Sequence, residues 1–175
     1  NIAVNDGNIS FDFEGWQNKQ FLGTGEFALS FGDYDVEITL PSDHIVAATG
    51  ECQNYKETLT PTQYGRWIQS QSAKTPLLIV NLDEAKENEK KPISSKTKTW
   101  KYKAKNVRDF AWTASKKFAW DAMPHYNELG QKVMCMSLYG KEAYPIYNKY
   151  STKVIDHTLK TYSKYSIPYP YPVAI

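Results

Sequence analysis

Up to Gly140 the apolar residues of this chain recur at every second position, and beyond it they recur at every third or fourth. Period two belongs to strands buried on one face and period 3.6 to a helix, so this change limits the fold more than any other feature. It predicts a sheet-rich body over residues 1–140 and a helix with a short tail over 141–175. Alternation is clearest from Thr99 to Lys105, where Trp100, Tyr102 and Ala104 point one way and Lys101, Lys103 and Lys105 the other. Phe110, Trp112 and Ala114 continue it. Ile9, Phe11 and Phe13 show the same pattern, as do Phe27, Leu29 and Phe31, and then Val36, Ile38 and Leu40. Gly32-Asp33 between the last two runs predicts a hairpin, and Pro41 stops its second strand because it has no N–H for a ladder. Ile45 to Thr49, Leu77 to Leu82 and Val133 to Tyr139 complete the strands.

Aromatic residues make up 14% of the chain, and large flat side chains suit a pleated, half-buried surface. The expected class is mainly β: an antiparallel β-sandwich or saddle-like set of sheets, with a short covering helix and one long C-terminal helix. Thr60-Pro61-Thr62-Gln63 is a capping box with Pro in the first turn, and Tyr64, Trp67 and Ile68 give the short helix an apolar face. Asp83 to Lys91 has acids early and lysines late, which suits a helix dipole, but only Leu82 and Ala85 can pack. It reads as an exposed insertion. From Pro145 to Tyr165 a stripe of Tyr147, Tyr150, Val154 and Tyr165, flanked by Ile155, Leu159 and Tyr162, marks the long helix. Pro168, Pro170 and Pro172 cannot continue it. That stripe is wider than a sheet edge needs. The helix is therefore expected to dock on the body or to associate with a second copy, leaving apolar surface exposed.

A hydrophobic share of 41% with 23% charged residues is ordinary globular composition, and 21 basic against 19 acidic residues give a net charge of +2. No nucleic-acid partner is implied by so balanced a charge. The one basic tract holds eight lysines from Lys86 to Lys105 against two glutamates, and reads as the solvated face of an edge strand rather than a polyanion site. No apolar run is long enough for a membrane span, and Asn1-Ile2-Ala3-Val4 has no signal-peptide character. Cys52 and Cys135 read as two free, partly buried thiols.

Catalytic chemistry finds no foothold. His44, His125 and His157 lack zinc-ligand spacing and read as surface or cap residues. Ser30, Ser115 and Ser137 lack a nucleophile context, and Gly23-x-Gly25 lacks the third glycine of a phosphate loop.

Val107-Arg108-Asp109-Phe110-Ala111-Trp112, with Lys116-Lys117-Phe118 and Trp120-Asp121, resembles the end of the N-terminal β-domain in gluzincin zinc metallopeptidases of the aminopeptidase-N family. Other segments resemble that family in the same order. Upstream these are Gly25-Glu26-Phe27, the run from Phe31 to Pro41, and Val46 to Glu51; downstream, Thr158 to Pro172 is similar to the first catalytic-domain helix and its Pro-Tyr-Pro exit. The family's His-Glu-x-x-His and Gly-x-Met-Glu motifs do not occur. The resemblance implies a non-catalytic scaffold portion of a zinc-dependent peptidase. Residues 1–140 would be the later part of the β-domain and 141–175 the first helix of the catalytic domain. It implies no cofactor in this chain and zinc in the parent, with the rest of that polypeptide as partner and a peptide as the parent's substrate. Asp109, Phe110, Trp112, Phe118 and Trp120 become candidates for a cleft wall or domain interface, core packing being the competing use of the large aromatics. The alternative is a free-standing β-sandwich module that binds carbohydrate or peptide through several exposed aromatics.

Overall fold

The computed structural model describes residues 31–175 and, ahead of them, the backbone of three strands: β1 (Ile2–Asn5), β2 (Asn8–Phe11) and β3 (Phe27–Ala28). These three form one antiparallel sheet with β1 in the centre. Phe13, Trp16, Gly23 and Gly25 lie outside the described residues. The remaining strands are β4 (Gly32–Pro41), β5 (Ile45–Ala48), β6 (Glu51–Cys52), β7 (Leu77–Val80), β8 (Thr97–Val107), β9 (Trp112–Ser115), β10 (Ala119–Tyr126), β11 (Lys132–Tyr139) and β12 (Val173–Ala174). Helices are α1 (Tyr55–Thr58), α2 (Pro61–Ser70), α3 (Leu82–Lys90) and α4 (Tyr144–Tyr165). Among the described residues strand exceeds helix, 37% against 33%, and all strand pairings but one are antiparallel, so the β-rich class stands.

β4, β8 and β6 form one sheet, β12, β11, β10 and β7 another, and β5 pairs with β9. The hairpin expected at Gly32-Asp33 is replaced by a longer-range pairing, because β4 runs against β8 from Gly32↔Val107 to Pro41↔Thr97 while β3 joins β1. β8 is therefore central rather than an edge. Its inward residues Trp100, Tyr102 and Ala104 are buried as the alternation requires, and its outward Lys101 and Lys103 pair with Glu37 and Asp35 of β4, each at 3.1 Å. Such exposed pairs contribute little stability. They do neutralise two of the lysines in the basic tract.

The two larger sheets share one core, and aromatic rings fill it. Trp100 on β8 and Trp120 on β10 are 0% and 1% exposed, and Tyr55 of α1 stands between them at ring distances of 6.1 and 5.5 Å. Trp67 of α2 completes the stack, 4.5 Å from Tyr55 and 5.6 Å from Trp120. Burying an indole removes on the order of 200 Å² from water, worth about 5 kcal/mol as an upper figure. Polar contacts hold the helices in register with the sheets. Asn54 binds the Thr99 carbonyl and the Lys101 N–H of β8, while Arg66 joins the Ile79 carbonyl to Glu84 at 3.1 and 2.7 Å.

Residues 82–90 form a regular helix, contrary to the expectation of an exposed insertion. Asn81 and Glu84 make a reciprocal capping box, Ala85 is buried, and Asn88 donates to the carbonyls of Asp43 and Lys116. Capping and two side-chain anchors replace the apolar face that the sequence lacks. Gly50, at φ +86°, ends β5 where a Cβ would lie 2.2 Å from the Lys103 carbonyl oxygen, so glycine alone fits.

Candidate functional site

α4 is 22 residues long, about 33 Å, and it lies on β10 and β11 by a face that is more polar than apolar. Thr152, Leu159 and Ser163 are its buried residues. The Thr152 hydroxyl and the Tyr139 hydroxyl both donate to the buried carboxylate of Asp121 on β10. Burial pushes the Asp121 carboxyl above its usual range, against the lowering effect of those two donors. Further along, His125 of β10 meets Asp156 at 2.8 Å and is itself 7% exposed, so it is a buried partner of the helix and not the surface or cap residue expected. Leu159 packs with Val133, Cys135 and Ala174.

With its polar face turned to the sheet, the helix presents its aromatic stripe to the outside. Tyr147, Tyr150, Val154 and Tyr165 are 49%, 49%, 56% and 78% exposed, and Ile146 and Tyr162 lie beside them in the open. Lys149, Lys153, Lys160 and Lys164 fall at spacings of four, seven and four residues, forming a single row along one flank of the stripe. The helix thus leaves a long apolar ridge with one cationic border.

Beyond α4 the proline-spaced tail crosses back over the body. Tyr169 packs edge-on to Tyr171, the Tyr171 hydroxyl donates to the Asn106 carbonyl at 3.0 Å, and β12 joins β11 in parallel as an outer strand. Asn106 itself has φ 53°, a left-handed turn that ends the regular part of β8, with its N–H bound to Asp33 at 2.8 Å. Between tail and body runs a groove of about 1080 Å³, lined among others by Thr49, Gly50, Lys103, Arg108, Asp109, Trp112, Tyr171 and Ile175. The Arg108 guanidinium lies 4.8 Å from the Phe31 ring centroid.

The five residues singled out from sequence therefore separate. Asp109 and Trp112 line the groove and are exposed, Trp112 at 57%. Phe110 stacks on Tyr34 at 5.9 Å and packs with Phe118 against the core, and Trp120 lies inside it. Trp112 thus departs from the inward alternation expected of it, while Phe110 before it and Ala114 after it both pack against the core. Among the described residues Asp109 has neither an ion pair nor a side-chain hydrogen bond, and no three His, Cys, Asp or Glu side chains converge. Cys52 and Cys135 are both free. The α4 ridge is the feature that sequence patterning located correctly; the carboxylate Asp121 beneath it was missed, because a lone Asp beside Trp120 carries no signal of burial. No family model, no curated protein and no solved structure matches the chain.

Proposed function

We propose that this chain is a non-catalytic, aromatic-filled support within a zinc-dependent peptidase of aminopeptidase-like type, and that α4 carries the face on which the metal-bearing part sits. The observation that carries this reading is where the large apolar residues are spent. Of the four tryptophans among the described residues, Trp67, Trp100 and Trp120 fill the core, while Tyr147, Tyr150, Tyr162 and Tyr165 stand exposed along one helix. A ridge of that length resembles half of a helix-to-helix contact. The ordered resemblance running from Gly25 to Pro172 supports the same reading.

The lysine row weighs against a second copy packed antiparallel on the ridge. When two such helices pack antiparallel about a twofold axis, the same flank faces itself, so four lysines oppose four lysines. An apolar surface bordered by carboxylates satisfies both features. No span-length apolar helix is found among the described residues, and α4, with its lysines, falls short of one.

A free-standing module that binds carbohydrate or peptide needs several exposed aromatics on one face of a sheet. One described tryptophan, Trp112, meets that need. Three measurements separate the readings. Zinc added to the isolated chain should give neither tight binding nor peptide hydrolysis, and translation of the gene beyond Ile175 should show His-Glu-x-x-His with a later Glu. Zinc-dependent hydrolysis by the chain alone, or a gene without that motif, overturns the support reading; saturable quenching of Trp112 by an oligosaccharide establishes the module.

A further inference from the structure

Lys98, at the start of β8, borders a second cavity of about 380 Å³ between the β4–β5 turn, α1 and α3. Its Nζ donates to the Thr58 carbonyl at 2.8 Å and stands 4.8 Å from the centroid of the Trp100 ring. The acids nearby are occupied. Asp43 holds His44 at 2.7 Å and the Ser94 N–H, Glu84 holds Arg66, and Glu57 of α1 is reached by Asn54. Glu87, Lys91 and Lys116 complete the charged rim, with the Lys116 ammonium bound to the Lys91 carbonyl. Among the described residues no carboxylate pairs with Lys98. An ammonium offered one carbonyl and one ring face, and partly withdrawn from water, lacks what its charge requires. Burial accordingly pulls the Lys98 amine down to about 8, with the charge of Asp43 opposing weakly. About one amine in ten is then unprotonated at neutral pH, against fewer than about one in a thousand for an ordinary lysine.

We propose that Lys98 is the preferred acylation site of this chain, reacting with small activated acyl donors such as acyl phosphates, and that the cavity takes up the acyl group. The Nζ lone pair attacks the acyl carbon, the new C–N bond forms as the C–O bond to phosphate breaks, phosphate leaves with that electron pair, and the surplus amine proton passes to water. The product suits the site better than the reactant does. A neutral amide keeps one N–H for the Thr58 carbonyl and removes a poorly solvated charge from beside Trp100, while the cavity has room for a two-carbon group. This inference is independent of what α4 contacts.

The test is acetylation of the folded chain by acetyl phosphate at neutral pH, followed by peptide mass spectrometry at low conversion. Lys98 is expected to react at least about tenfold faster than the exposed Lys86, Lys153 and Lys160, its rate levelling off above about pH 8 while theirs keeps rising. In urea that lead should vanish. Equal or slower labelling of Lys98 overturns the proposal, and so does a lead that persists in urea, which would assign the reactivity to local sequence and not to the cavity. Lys98→Arg, shown by circular dichroism to keep its fold, should lose the fast phase of acetyl incorporation; a fast phase that survives in it also overturns the proposal.

Discussion

The ring of Tyr55 lies 5.5 Å from that of Trp120 and thereby joins a one-turn helix to the sheet opposite the one it caps. Tyr55 also contacts Trp100 edge-on, so one side chain touches both of two sheets that have no strand in common. Trp120→Ala should therefore cost about 3–5 kcal/mol, the range for emptying a buried aromatic site. Trp112→Ala, on the groove, should cost within about 0.5 kcal/mol. Urea denaturation of the two variants checks the contrast.

Tryptophan emission offers an independent check on the same core. Acrylamide should quench the described tryptophans unequally, with Trp112 accessible and Trp67, Trp100 and Trp120 shielded. Trp112→Phe should remove a large part of the readily quenched emission. An unchanged quenching curve in that variant would show Trp112 to be covered.

The buried Asp121 predicts an unusual pH response. Its folded carboxyl keeps its proton to higher pH than the ordinary value of 3.8, chiefly through burial, so the folded state binds more protons than the unfolded one in the interval between. This group's contribution to stability is present at low pH and is lost as pH rises through the folded value. Asp121→Asn removes that dependence and should be neutral or stabilising at neutral pH. Thr152→Val leaves the carboxylate one donor short and should cost about 1–3 kcal/mol.

Both thiols should be inert while the chain is folded. Burial raises Cys52 to about 11, and burial with the charge of Asp156 raises Cys135 to about 12, so neither supplies thiolate near neutral pH. Ellman's reagent should find no fast-reacting thiol in native buffer and two in urea. A fast single thiol in native buffer would contradict the seating of β6 or β11.

Much of this architecture is legible in local pattern. The alternation at Trp100, Tyr102 and Ala104 specifies which face of β8 is buried, and the capping box at Thr60 starts α2 where it is observed. Pairing partners are not local properties. Gly32-Asp33 looks like a hairpin turn, yet β4 gains nine ladder pairs with β8 instead, and no short window encodes a contact 60 residues away. α3 escaped because its anchors are Glu84 and Asn88, polar residues whose partners Arg66, Asp43 and Lys116 lie on other parts of the chain. The same holds beneath α4, where Thr152, Asp156 and Ser163 face the sheet and the stripe that periodicity marks faces out.

The account stands or falls on whether the α4 ridge is a covered surface in the whole protein. Hydroxyl-radical footprinting of Tyr147, Tyr150 and Tyr165, read by mass spectrometry in this chain alone and in the full-length product of its gene, measures that directly. The account predicts strong oxidation of all three in the chain alone and protection in the full-length protein. Equal oxidation in both would contradict it.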